Sequence, residues 1–89
     1  MKRILIIEDD ADIALSLKYN LEREGEYAVI TSRDGETGLR QARDLPPDLI
    51  LLDLNLPGVD GIEICRMLRA ESRTASVPII MVTARIDES

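Results

Sequence analysis

Histidine is absent from this chain, as are tryptophan and phenylalanine, and two tyrosines are its only aromatic residues. The first absence removes imidazole acid–base catalysis, histidine metal ligands and a phosphohistidine from the chain's repertoire. The second removes the exposed aromatic platform on which single-stranded nucleic acids stack. Positive charge is also short: 11 Lys and Arg stand against 17 Asp and Glu, a formal net charge of −6. A phosphate-backbone binder has the opposite balance, so no direct nucleic-acid binding is expected. The lone cysteine, Cys65, has no partner for an internal disulfide, and its setting "IEICRML" reads as a core thiol on an apolar helix face. No apolar run nears the roughly 20 residues that a membrane helix needs. No signal peptide is visible. The expected setting is the cytoplasm, without membrane contact.

What is present suits one small folded unit. The 89 residues, 45% hydrophobic and 31% charged, make a single domain spanning residues 1–89. Apolar and helical stretches alternate along it. Ile4 to Ile7 is a short continuous apolar run, as in a strand covered on both faces. Asp12 caps the helical stretch that follows, with Asp10 the other candidate. Ile13, Leu17 and Leu21 recur at four-residue spacing in it, and Gly25 is placed to end it. "YAVIT" (Tyr27 to Thr31) reads as a second strand. Asp34 N-caps a second helix with Leu39, Ala42 and Leu45 on one face, which Pro46 and Pro47 stop. "LILL" (Leu49 to Leu52) is a third strand. A third helix runs near Asp60 to Ala70, with Ile62, Cys65 and Leu68 or Arg69 on successive turns. "VPIIMVTA" (Val77 to Ala84) is a fourth strand.

The order β-α-β-α-β-α-β predicts an α/β fold with a parallel sheet and right-handed crossovers. Two arrangements satisfy those rules: strands in chain order, or an order that reverses once. The acids decide between them. Glu8, Asp9 and Asp10 follow the first strand, and Asp53 ends the third. If the two strands are neighbours, these carboxylates meet at a topological switch point, where open α/β sheets place their ligands. The inferred order is 2-1-3-4, with the first helix on one face and the second and third on the other. Acids crowded at one edge repel each other, and a cation offsets the cost. Oxygen ligands open to water suit Mg²⁺. The plainer readings are a solvated helix start for the acid run and an Asx-type loop for "DLNLPG". The combination of both at one edge is what favours a site.

"RILIIEDD", "DLILLDLNLPGVDGIEICR" and "VPIIMVTA" resemble the successive hallmark segments of response-regulator receiver domains in two-component signalling, most closely those that precede winged-helix DNA-binding domains. The resemblance implies the flavodoxin-like receiver fold and a phosphoacceptor, not an enzyme. By that resemblance Asp53 accepts a phosphoryl group from a sensor histidine kinase, controlling an output domain absent from this chain. Asp9 ligates Mg²⁺ directly and Glu8 through water, with Asp53 and the backbone carbonyl of Asn55 completing the protein ligands. Thr83 hydrogen-bonds the phosphoryl group, and Ala84 is the small neighbour that leaves access. Pro57, Gly58 and Gly61 are turn and helix-start residues without a direct role.

Family receivers continue with a fourth helix, a fifth strand ending in a lysine, and a fifth helix. Here the sequence stops at Ser89, and Lys2 and Lys18 fall in other segments. The expectation is a receiver cut short, which self-associates as a homodimer through the uncovered sheet face or the edge of the fourth strand. Two rival classes stand beside the phosphoacceptor. A folded but chemically silent interaction fragment is one. The other is a Mg²⁺-dependent phosphohydrolase, which would carry a general acid where Asn55 stands.

Overall fold

The computed structural model describes residues 1–82. Seven elements follow in the expected order: β1 (Lys2–Ile7), α1 (Ala11–Glu22), β2 (Tyr27–Ser32), α2 (Gly35–Asp44), β3 (Leu49–Asp53), α3 (Gly61–Arg69) and β4 (Ile79–Val82). The strands form one parallel sheet in the order β2-β1-β3-β4. No described helix is long and apolar enough to cross a membrane.

The register turns strand alternation into two cores. Ile4 lies opposite Val29 on one side and Leu49 on the other, and Ile7 lies opposite Leu52. Successive strand side chains point to opposite faces. Ile4, Ile6 and Val29 therefore pack with Leu17 and Leu21 of α1. Leu5, Ile7, Ile50 and Leu52 pack with Leu39 and Ala42 of α2 and with Ile64 and Leu68 of α3. The helices thus divide one against two, as anticipated. The cover is unequal: Ile50 and Leu52 are fully buried beneath α2 and α3, whereas Leu49 and Leu51 on the α1 side stay half-exposed.

Each helix opens on an aspartate. Asp10, not Asp12, caps α1, its carboxylate accepting from the N–H groups of Asp12 and Ile13. Asp34 caps α2 and Asp60 caps α3. Gly25 follows α1 at φ 81°, the left-handed conformation that glycine adopts without a Cβ penalty.

Three local expectations fail, at a helix end, on a helix face and at a strand start. Leu45 lies beyond the last turn of α2 and is 55% exposed, because the chain leaves the helix ahead of Pro46 and Pro47. In α3 the buried line is Gly61, Ile64 and Leu68, and Ile62 points outward at 53% exposure. Cys65 lies beside that line, half-buried against the core. Finally, β4 begins at Ile79 rather than Val77. Val77 is buried in the preceding turn, which Thr74 and Arg69 hold: the Thr74 hydroxyl donates to the Leu68 carbonyl at 2.6 Å, and Arg69 Nη1 donates to the Val77 carbonyl at 2.6 Å.

Candidate functional site

The sheet edge at the carboxyl ends of β1 and β3 gathers the acids by simple counting. Positions 4 and 6 of β1 and 49 and 51 of β3 face α1, so Glu8 and Asp53, next in each series, fall on that same side. The β1–β2 ladder runs one residue past the strand: Glu8 N–H donates to the Ser32 carbonyl at 2.9 Å. That bond holds Glu8 inward, and its residue exposure is 4%; Asp53 is at 2%. Asp9, half-buried, completes the group. Glu8, Asp9 and Asp53 each offer a carboxylate oxygen, and the three lie within 4.8 Å of one another.

The acidic run is thereby split by role. Asp10 is committed to the helix as its cap, while Glu8 and Asp9 belong to the cluster. Asp10 also ties the two together, since its own N–H donates to Glu8 Oε2 at 3.1 Å. On the facing strand, Asp53 Oδ1 accepts the N–H of Asn55 at 3.0 Å, an Asx-type turn that orients the carboxylate. The Leu54 N–H donates to the Val82 carbonyl at 3.1 Å, so β4 braces the backbone just past Asp53.

Burial raises the Glu8 carboxyl from 4.5 to about 7, and the Asp53 and Asp9 carboxylates beside it add to the rise; the Asp10 N–H pulls the other way. A carboxyl held this high marks negative charge that the fold leaves short of compensation. All-oxygen donors, two buried and one half-open to water, fit Mg²⁺, which keeps several of its waters.

The residues anticipated from sequence divide three ways. Glu8, Asp9 and Asp53 come together. Asn55 is exposed and reaches Asp53 through its backbone N–H. Thr83 and Ala84 lie outside the described residues. Two contributors went unrecognised. Ser32 is buried, and its carbonyl anchors Glu8. The sequence makes Gly61 look like a plain helix start, yet a Cβ on it would lie 2.8 Å from the Asp53 carbonyl oxygen and 2.9 Å from Leu54 Cα, both backbone atoms. The signal for it was legible: α2 and α3 both open on Asp-Gly, at Asp34-Gly35 and Asp60-Gly61, a cap followed by a buried glycine.

Comparison with known proteins bears on the same edge. The sequence model of the response regulator receiver domain matches residues 4–89. The alkaline phosphatase synthesis transcriptional regulatory protein PhoP of Bacillus subtilis is 48% identical over 87 residues, which are 98% of this chain and 35% of that protein. The chain thus spans about a third of the length of that relative. The N-terminal domain of a response regulator receiver protein from Methanoculleus marisnigri superposes with a TM-score of 0.89 at 34% identity, covering 96% of this chain and 68% of the other. The receiver domain of sensor histidine kinase PA1611 from Pseudomonas aeruginosa, solved with magnesium coordinated in its active-site cleft, has a TM-score of 0.81 at 33% identity, over 94% and 68% of the two chains.

Proposed function

Because this chain belongs to the response regulator receiver family, we propose that its residues 1–89 form one domain in which Asp53 accepts a phosphoryl group from a phosphohistidine on a sensor histidine kinase. The observation that carries the reading is the convergence of Glu8, Asp9 and Asp53 within 4.8 Å at one sheet edge. An Asp53 carboxylate oxygen attacks phosphorus, the P–N bond to the donor imidazole breaks, and an aspartyl-phosphate forms. Phosphoryl transfer asks a protein mainly for positioning and charge neutralisation. Mg²⁺ held by Glu8, Asp9, Asp53 and the Asn55 carbonyl would supply the neutralisation.

The chain's own groups do the positioning. The Asn55 N–H fixes one Asp53 oxygen and with it the orientation of the carboxylate that attacks. Thr83 would donate its hydroxyl hydrogen to the phosphoryl group, and Ala84 would leave room for its entry. Asn55 provides no general acid where a phosphohydrolase of this type needs one, so turnover is not expected and the role is regulatory. The family kinship to PhoP, a transcriptional regulatory protein, supports an output in transcription, exerted by a part of the protein outside this chain.

Incubation with a small phosphodonor and Mg²⁺, followed by mass measurement, tests the reading. One stoichiometric phosphoryl adduct, stable in acid and labile in base, is the expected result. Continuous release of phosphate would make the chain a hydrolase, and no reaction would make it a silent interaction module.

A further inference from the structure

The sheet ends in two strands, β2 on one side and, among the described residues, β4 on the other. Bond direction alternates along a parallel strand, so each edge strand turns the N–H and C=O of every second residue outward. The Lys2 and Glu8 N–H groups donate to the Glu26 and Ser32 carbonyls. The even-numbered residues of β2 therefore bond to β1, and Tyr27, Val29 and Thr31 turn their backbone groups away from the sheet. At the other edge the Ile50 and Leu54 N–H groups donate to the Pro78 and Val82 carbonyls. There Ile79 and Met81 turn outward by the same rule.

The β2 edge is not left open. Its middle outward donor, the Val29 N–H, donates to Glu22 Oε2 at 3.2 Å. Glu22 is the last residue of α1. Leu21 before it packs on the sheet with Val29. One residue further, about 100° round the helix, the Glu22 side chain comes to the rim of the sheet. An acceptor on an outward N–H lies in the plane that a further strand would occupy. The edge strand β4, by contrast, carries no charged residue along Ile79–Val82.

We propose that Glu22 closes the β2 edge against a second copy of this chain, and that the strand it excludes is that copy's β4. A free strand edge is a template for pairing, and proteins blunt such edges with charged side chains. A β4 laid in parallel on the β2 of another copy continues the sheet and joins two unlike surfaces. Each copy then still offers one edge of each kind, so the contact runs on as a filament instead of closing. With Glu22 in place, the central donor of the β2 edge is already bonded, and a side chain stands in the path of the incoming strand.

Glu22→Ala keeps a good helix former at the end of α1 and frees the Val29 N–H. Light scattering over a dilution series should then show a mass that grows past two chains with concentration. Glu22→Ala combined with Ile80→Glu should not grow, because the incoming strand now carries a charge. Glu22→Gln keeps both the oxygen acceptor and the bulk, and it should match the unaltered protein. A Glu22→Ala protein no more associated than the unaltered one would overturn the proposal, as would growth that survives Ile80→Glu or that Glu22→Gln shows equally. Hydrogen exchange reads the bond on the unaltered protein, independent of how any variant folds. Relative to its unstructured rate, the Val29 amide should exchange about tenfold more slowly than that of Thr31, the ordinary worth of one hydrogen bond. Equal protection of the two amides would show that Glu22 does not hold the edge, and would overturn the proposal as well.

Discussion

At the scale of single residues, Asp53 and Glu8 differ in what each carries. Asp53 is the proposed acceptor, so Asp53→Asn removes the nucleophile while preserving shape. The adduct measured by mass should vanish, and thermal stability should hold within about 1 kcal/mol or rise, because one repelling charge leaves the cluster. An undiminished adduct would move the acceptor elsewhere. Glu8 governs pH dependence. Its carboxyl stands at about 7 in the fold against an ordinary 4.5, so between those values the folded protein holds a proton that the unfolded chain has released. Stability from this group is fully present below pH 4.5 and declines as pH rises to about 7, by up to about 3 kcal/mol. Asp34 and Asp48, lowered from 3.8 by the N–H groups of Thr37 and Arg3 respectively, act in the opposite sense and below this window. Chemical denaturation without metal should therefore give a lower unfolding free energy at pH 8 than at pH 5, and Glu8→Gln should flatten that difference. Mg²⁺, which binds the ionised form, should stabilise the protein more at pH 8 than at pH 5. A metal-free stability that does not change between the two pH values would show that Glu8 does not titrate in this way.

At the scale of elements, existence and order were legible, and helix phase was less so. The strands announced themselves because "ILII" and "LILL" are apolar at consecutive positions, which suits burial on both faces. The α3 face was misjudged because Ile62 and Ile64 are equally apolar, and periodicity alone does not say which packs. The answer lies in Gly61, whose lack of a side chain lets the helix start press on the Asp53–Leu54 backbone and turns Ile64 and Leu68 inward. Thr74 was invisible for a related reason: a buried threonine whose partner is the Leu68 carbonyl six residues earlier leaves no pattern in the sequence. The close approach at Gly61 makes a prediction about α3 as a unit. In Gly61→Ala the new methyl meets backbone rather than a movable side-chain end, so the helix or the end of β3 must shift. Overpacking of this kind costs about 1–3 kcal/mol, a fall of roughly 4–8 °C in Tm per kcal/mol for a domain of this size. Because the displaced atoms belong to Asp53 and Leu54, the adduct should also form more slowly. Gly25→Ala is the control: it strains a left-handed residue in open space, and should lower Tm while leaving the rate alone.

At the scale of the whole molecule, the sheet order followed from chemistry more than from packing. Strand patterns left two topologies open, and the acids chose β2-β1-β3-β4 by requiring β1 and β3 to be neighbours. What the pattern did not reveal was how unevenly the sheet is clothed. Two helices bury Ile50 and Leu52 completely, while on the other face α1 lies over β1 and β2 and leaves Leu49 and Leu51 half-exposed. Ile80, level with Leu51 on the next strand, is 50% exposed on that same face. Among the described residues β4 is an edge strand, short and apolar, with no charge of its own along Ile79–Val82. Such an edge is a template for pairing. Each 100 Å² of apolar surface covered contributes about 2.5 kcal/mol, so a second copy seated here has a real driving force. A two-fold arrangement closes the assembly at a dimer, because each copy presents the same face. Light scattering over a dilution series should show a mass that doubles with concentration. Ile80→Glu places a charge on the edge and the partly covered face at once, and it should return the monomer. A mass of one chain at high micromolar concentration, or a dimer indifferent to Ile80→Glu, would place the contact elsewhere on the surface or remove it.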